Sequence, residues 1–175
     1  PDVQFWLGMD YFWLNQPMKA LVLWDACFHI RSACASGYTF TSEELGLSSD
    51  LKDKLEYLPS YHPLKESLIE YLDSPEASVL RGFWTSEPFY EDSDIFWGQV
   101  GLHQQEWTEG VKNEKSIWYL SWKTKEALTK SDTKEAFRWA IKAVQLLPEY
   151  SQMYQILSKT ATSVNKDPKP FLMKY

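Results

Sequence analysis

One histidine–glutamate pair has the spacing of two metal ligands. His103 and Glu106 are three residues apart in a segment with helical periodicity, so their side chains would project from the same helix face. A zinc site needs a third ligand and usually a fourth, and no second histidine lies nearby in the sequence. We therefore expect this pair to lie on a solvated helix face, and the sequence predicts neither a metal nor a cofactor.

A group of carboxylates is the other candidate for acid–base chemistry. It consists of Glu87, Glu91, Asp92 and Asp94, directly before a predicted helix at 95–109. Carboxylates at such a position usually cap the helix and interact favourably with its dipole. We expect Asp94 to be the cap, and an enzyme using these acidic residues remains the least favoured alternative.

Motifs that mark common active sites are absent from the sequence. There is no GxxxxGK[ST] loop for phosphates and no GxGxxG. There is also no Gly-x-Ser-x-Gly nucleophile elbow, and predicted strands are too scarce to support one. No catalytic residue is predicted, and we expect the protein not to be an enzyme.

Composition and charge limit the kinds of partner. The 175 residues are 44% hydrophobic and 16% aromatic, which is enough to build a core, and they carry a formal charge of −6. Nucleic acids and anionic membranes select clustered Lys and Arg, so we expect no nucleic-acid binding. No run reaches the roughly 18 apolar residues that would predict membrane insertion.

Two cysteines are too few for a disulfide framework, and their spacing does not fit a zinc site. Cys27 falls within an apolar helical pattern and is interpreted as a small buried residue. This usage leans towards a reducing compartment such as the cytoplasm, without deciding the location.

Two amphipathic helices are predicted in the first 33 residues. The first spans 5–14, and Pro17 is placed to open the second, at 18–33. Small residues would let the two helices approach closely, with large aromatic side chains filling the layers beside them. The order of the residues that carry this pattern is Leu7-Gly8, Tyr11, Ala20, Trp24 and Cys27.

This order resembles the tetratricopeptide repeat, a helical hairpin of 34 residues. Two positions depart from that family, since its opening Trp falls on Gln4 and its closing Pro falls on Ser32. The alternative is a generic array of helical hairpins. By the same resemblance, the repeat recurs near the other end of the chain, in a helix at 116–130, a turn at Ser131-Asp132 and the series Ala136, Ala140, Ala143 and Pro148. A further first helix, with Tyr154, Leu157, Ser158 and Ala161, follows.

The centre of the chain does not continue the repeat. Prolines and a glycine divide 35–93 into predicted short helices and loops, with helix starts at Ser42-Glu43-Glu44 and Ser49-Asp50 and a third helix at 64–72. Gly98 and Gly101 in the next helix suggest close helix packing, because each costs helix stability.

The predicted fold is therefore all-α, with antiparallel helical hairpins in a tetratricopeptide-like right-handed array and an irregular central insertion. We expect one helical domain over 1–175, composed of a hairpin at 1–34, the insertion at 35–93, further repeat-like helices at 94–165 and a tail at 166–175.

The resemblance implies a binding groove lined by the first helix of each hairpin. Its positions fall on Asp2, Phe5, Met9, Phe12 and Trp13, and on Trp118, Ser121, Lys125, Leu128 and Thr129. Within the family's carboxylate-clamp pattern only Lys125 could contribute, so that function is not supported.

We predict a non-catalytic scaffold that binds a protein or peptide partner through this aromatic groove. The residues predicted to bind are Phe5, Met9, Phe12, Trp13, Trp118 and Lys125. An alternative is a helical protein that binds carbohydrate by stacking sugars on exposed Trp. Simple core packing of the aromatic residues would weaken both hypotheses, and the oligomeric state stays open.

Overall fold

The computed structural model describes residues 1–47, 51–56 and 91–174. Its regular secondary structure in these ranges is entirely helical, which confirms the all-α class. The α-helices are α1 (Asp2–Trp13), α2 (Pro17–Cys27), α3 (Ser32–Glu44), α4 (Leu51–Glu56), α5 (Glu91–Thr108), α6 (Ile117–Thr129), α7 (Thr133–Leu146), α8 (Ser151–Thr160) and α9 (Lys169–Leu172). A 3₁₀ helix, Ala161–Val164, follows α8.

The chain divides into two compact units. The first contains α1, α2, α4, α5 and α3 up to Glu43. The second contains residues 112–175 together with the short segment Glu44–Gly46. Sequence order alone would not have grouped Glu44–Gly46 with a unit that begins at residue 112.

Trp24 is the centre of the first unit. Its side chain is fully buried, and its indole Nε1 donates a hydrogen bond to the carbonyl of Phe5 at 3.2 Å. A Cβ atom on Gly8 would overlap the indole, and one on Gly37 would lie 3.0 Å from three of its ring carbons. The absence of side chains at Gly8 on α1 and Gly37 on α3 therefore makes room for the ring.

Phenylalanine rings complete this core. Phe96 from α5 lies 5.7 Å from the ring of Trp24 and 5.9 Å from that of Phe12, in edge-to-face arrangements. Phe40 from α3 packs on the same two phenylalanines at 5.9 and 6.1 Å. Such aromatic pairs bury large apolar areas and favour this relative geometry.

Two of the predicted N-terminal boundaries change: α1 begins at Asp2 rather than at residue 5, and α2 ends earlier than predicted. Pro17 opens α2 as predicted, but the helix ends at Cys27 rather than continuing to residue 33. The backbone bends at 28–31, and Cys27 is joined to Cys34 near the start of α3 by a buried disulfide. The predicted burial of Cys27 is confirmed, and its disulfide to Cys34 was not predicted. A disulfide also weighs against the reducing compartment that the cysteine count favoured.

The central region begins with a regular helix rather than with loops. α3 continues through 35–44, and Ser42-Glu43-Glu44, predicted to start a helix, instead ends one. α4 agrees with the helix predicted after Ser49-Asp50. The helix predicted at 64–72 lies outside the described residues.

The next helix also differs from its prediction. α5 begins at Glu91, so Asp94 lies inside the helix and is not its cap. Within the described part of the chain, a Cβ on either Gly98 or Gly101 would meet no atom within 4 Å. The close packing expected at these two glycines is therefore not found among those residues.

The second unit follows the sequence prediction closely. Ser116 caps α6 by accepting a hydrogen bond from the backbone N–H of Tyr119 at 3.3 Å. Asp132 caps α7 through the N–H of Glu135 at 3.0 Å, after a turn in which Ser131 has a φ of 58°. α7 packs against both α6 and α8. The Ser and Asp caps explain where α6 and α7 begin, because each side chain satisfies a backbone donor that the helix leaves free.

None of the helices in the described ranges combines the length and the apolar character that crossing a bilayer would require.

Candidate functional site

The N-terminal residues predicted to line a groove mostly face the core of the first unit. Phe5 and Phe12 are fully buried and Met9 is 2% exposed. Trp13 is half-buried, and its ring lies 3.9 Å from the imidazole of His103. A partner could therefore reach Trp13 at its edge, but not the other three without rearranging the core.

The two residues of the second unit that were predicted to bind a partner, Trp118 and Lys125, are also buried. Trp118 is fully buried, with its ring 6.2 Å from that of Tyr150. Lys125 is 3% exposed. Burial of a lysine demands a partner for its charge.

That partner is Glu44. The Nζ of Lys125 lies 2.5 Å from Oε1 of Glu44, and both side chains are 3% exposed. The hydroxyl of Tyr150 donates a hydrogen bond to the other carboxylate oxygen, Oε2. The Oγ of Ser121 lies 3.0 Å from the phenol oxygen. We call Glu44, Ser121, Lys125 and Tyr150 the buried carboxylate site.

The protonation of Tyr150 fits this arrangement. Burial, and then the negative charge of Glu44, raise the pKa of the Tyr150 phenol well above its usual range. The phenol therefore keeps its proton and gives it to the carboxylate. Because a phenol has only one proton to donate, the Ser121 hydroxyl donates to the phenol oxygen.

Helix geometry explains how the second unit presents these groups. Ser121 and Lys125 are four residues apart on α6, so they share one face of that helix. Tyr150 immediately precedes α8 and is fully buried. α6 thus supplies a cation and one hydroxyl, and the residue before α8 supplies a second hydroxyl at the same place.

The residues after Glu44 are also held in place. Leu45 is 4% exposed, and its carbonyl accepts a hydrogen bond from the Ser151 hydroxyl at 2.6 Å. Gly46 has a φ of +73°, and a Cβ there would overlap the Ser151 side chain. Glycine is the residue that suits this position, for both its backbone angle and its lack of a side chain.

A second feature is the solvent-facing side of α1. Val3, Trp6, Leu7 and Leu14 are 77, 45, 40 and 63% exposed. With the exposed Asp10 they occupy the side opposite Phe5, Met9 and Phe12. We call these five exposed residues the outer face of α1. A surface helix normally carries polar residues there, so this apolar stripe is unusual.

The carbohydrate alternative depended on exposed tryptophans. Among the tryptophans that the structure describes, only Trp6 is exposed, while Trp13 and Trp97 are half-buried. The other described tryptophans are buried: Trp24, Trp107, Trp118, Trp122 and Trp139. One exposed indole gives sugar stacking less support than the sequence suggested.

The structure gives little support to the residues considered for metal binding or acid–base chemistry. The Nδ1 of His103 lies 3.3 Å from a carboxylate oxygen of Glu106, so these side chains pair with each other. Within the described ranges no group of three or more His, Cys, Asp or Glu side chains could hold a metal. Glu87 lies outside these ranges, and for Glu91, Asp92 and Asp94 the structure describes only the backbone.

Sequence reasoning identified Lys125 and Ser121 but missed Glu44. The pair Glu43-Glu44 resembled the acidic first turn of a helix, and nothing local indicates that one of them is buried. The available signal was indirect, because Lys125 lies on an otherwise apolar or small-residue face of α6 and would need a carboxylate.

Comparison with models of known protein families, with curated protein sequences and with solved structures finds no match to this chain.

Proposed function

We propose that this protein is a non-catalytic interaction scaffold that binds the apolar side of an amphipathic helix of a partner protein through the outer face of α1. The observation that carries the proposal is the exposure of Val3, Trp6 and Leu7 along that helix and of Leu14 directly after its last residue. Exposed apolar patches of this kind commonly mark interaction sites.

The shape and chemistry of the surface suggest a helix as its ligand. The stripe runs along a helix of 12 residues, about 18 Å at 1.5 Å per residue. An amphipathic helix can lay apolar residues spaced three and four apart along such a stripe. Asp10 lies within it, so a Lys or Arg on the partner helix would complement the surface.

The charge argues against a second copy of this chain as the occupant. Two copies facing each other through the same stripe would bring two Asp10 carboxylates into one interface, and each chain carries a formal charge of −6. Like charges placed together oppose association.

The tetratricopeptide-like arrangement remains part of the proposal. It is supported by the fit of Trp24 against Gly8 and by the burial of Ala20, the small residues on which the resemblance rests. The aromatic groove is replaced as the binding surface, because Phe5, Met9 and Phe12 are in the core.

A displayed library of amphipathic helices with basic flanks would test the proposal on the full chain. We expect peptides that bind it, with Trp6→Glu weakening binding at least about tenfold, as for a central aromatic anchor. The matched control is Leu102→Glu on α5, where Leu102 is 58% exposed and outside the stripe. Selected peptides whose affinity is insensitive to Trp6→Glu would refute this surface. Self-association that Trp6→Glu abolishes would show that a second copy is the occupant instead.

A further inference from the structure

The segment Glu44–Gly46 contacts the rest of the second unit, residues 112–175, as a ligand contacts its binding site. Its side-chain carboxylate meets a cation and a hydroxyl, its leucine is buried, and its leucine carbonyl meets a serine hydroxyl. The residues that hold it are 81 to 106 positions away along the chain. The recognition therefore comes from groups that α6 and α8 present, and not from local chain geometry.

We propose that the second unit contains a binding site for a helix end of the type Glu-Leu-Gly, and that residues Glu44–Gly46 fill this site in cis. The ligand class is an acidic peptide whose last helical turn carries a glutamate, followed by a leucine and a glycine. The proposal does not depend on the outer face of α1.

Each element of the ligand has its own determinant. Lys125 and the neutral phenol of Tyr150 select a carboxylate, since both donate hydrogen bonds and a carboxylate only accepts. The buried position of Leu45 selects an apolar side chain. The overlap that any Cβ would make with Ser151 selects glycine.

The helical conformation of the ligand is also specified. Glu44 is the last residue of α3, and Gly46 adopts the left-handed conformation common just after helix ends. The N–H of Leu47 donates to the carbonyl of Ser42 at 2.7 Å, which closes the helix end. A free peptide would lose conformational entropy on forming this turn, whereas in the segment Glu44–Gly46 the turn is already formed.

Removing the cis carboxylate tests the recognition directly. In the full-length Glu44→Ala variant we expect Tm to fall by on the order of 10 °C, because Lys125 is left buried without its carboxylate. Propionate should then raise Tm in a saturable way, whereas sodium chloride at equal ionic strength and neutral propionamide should not. The control variant is Glu149→Ala, which removes an exposed carboxylate next to Tyr150. Its Tm should not respond specifically to propionate.

A second arm tests the peptide class. Glu44→Ala/Leu45→Ala removes both anchors of the cis segment, and a capped peptide spanning residues 41–47 should raise its Tm. The same peptide with Gln in place of Glu44 should be much less effective. If either variant is unfolded alone, recovery of helical circular dichroism on adding ligand gives the same answer, because a ligand that binds only the folded state drives folding.

The outcomes separate clearly. If propionate raises the Tm of Glu44→Ala no more than sodium chloride does at equal ionic strength, the proposed carboxylate site is wrong. Equal effects of the Glu and Gln peptides, or propionate rescue without peptide rescue, would overturn the peptide ligand. Loss of the propionate effect in Glu44→Ala/Lys125→Met is the result expected if Lys125 recognises the carboxylate.

Discussion

Glu44 and Lys125 form an ion pair at 2.5 Å although they are 81 positions apart in the sequence, and both are almost completely buried. Removing one member leaves the other charge buried without the opposite charge that it pairs with, which typically costs about 3–5 kcal/mol. We expect Lys125→Met to lower the free energy of unfolding by about this amount in urea titrations.

The double variant Glu44→Leu/Lys125→Met checks the pairing. It removes both charges while keeping apolar volume, so it should be more stable than Lys125→Met alone. The single variant Glu44→Leu completes a double-mutant cycle. If the losses of unfolding free energy in the two single variants add up to the loss in the double variant, the two residues are not coupled.

From the buried environment of Tyr150 we expect the folded protein to lose stability at alkaline pH. Its pKa in the folded state is raised by burial and by Glu44, while the unfolded phenol titrates near 10. The unfolded state therefore releases this proton first, so the stabilisation is complete below pH about 10 and is lost as the pH rises through the folded-state pKa.

Urea midpoints measured across this pH range would test the assignment. Tyr150→Phe should flatten the alkaline decline, at the cost of about 1–3 kcal/mol at neutral pH from the lost hydrogen bond to Glu44. Tyr119→Phe is the comparison, because burial followed by Glu114 raises that pKa too, but less strongly. An unchanged decline in Tyr150→Phe would assign the effect to other groups.

The packing around Gly8 predicts that two glycine-to-alanine substitutions will change stability in opposite directions. Gly8→Ala would force a methyl group into the indole of Trp24, and overpacking of this kind costs about 1–3 kcal/mol. Gly98→Ala, in α5, meets no atom within 4 Å in the described structure and should stabilise the helix by about 0.5–1 kcal/mol. Thermal unfolding of both variants gives the comparison, and equal effects would show that Gly8 is not tightly packed.

The disulfide predicts a redox dependence of stability. Cys27 and Cys34 close a short loop of sequence separation 7, for which the chain-entropy model gives about 2–3 kcal/mol. Cys27→Ala/Cys34→Ala should lower the urea midpoint accordingly. Because the two residues are only 1% and 0% exposed, dithiothreitol should reduce the native protein more slowly than the urea-unfolded protein. Equal rates of thiol release from the two states would contradict the buried placement.

Local signals explain which parts of the fold could be predicted. Pro17, Ser116 and Asp132 act within one helical turn, and the starts of α2, α6 and α7 were predicted correctly or within one residue. The early end of α2 was missed, because the apolar pattern continues through Phe28 while the backbone bends.

The buried carboxylate site could not be predicted because its contacts are long-range. Lys125 occupied a recognisable position on α6, but a sequence of this length offers 24 Asp and Glu residues as possible partners. The outer face of α1 was hidden for a different reason. When both sides of a helix are apolar, periodicity does not tell which one is buried, and Phe5 was assigned to the groove rather than to the core.

The bond between Cys27 and Cys34 also affects how the chain behaves when it is cut. A protease that cleaved within the bend at 28–31 would produce two fragments that remain one covalent molecule. Such a nicked protein would migrate like the uncut chain on a non-reducing gel and separate only when thiol is added, so mobility on that gel alone would not reveal the cleavage.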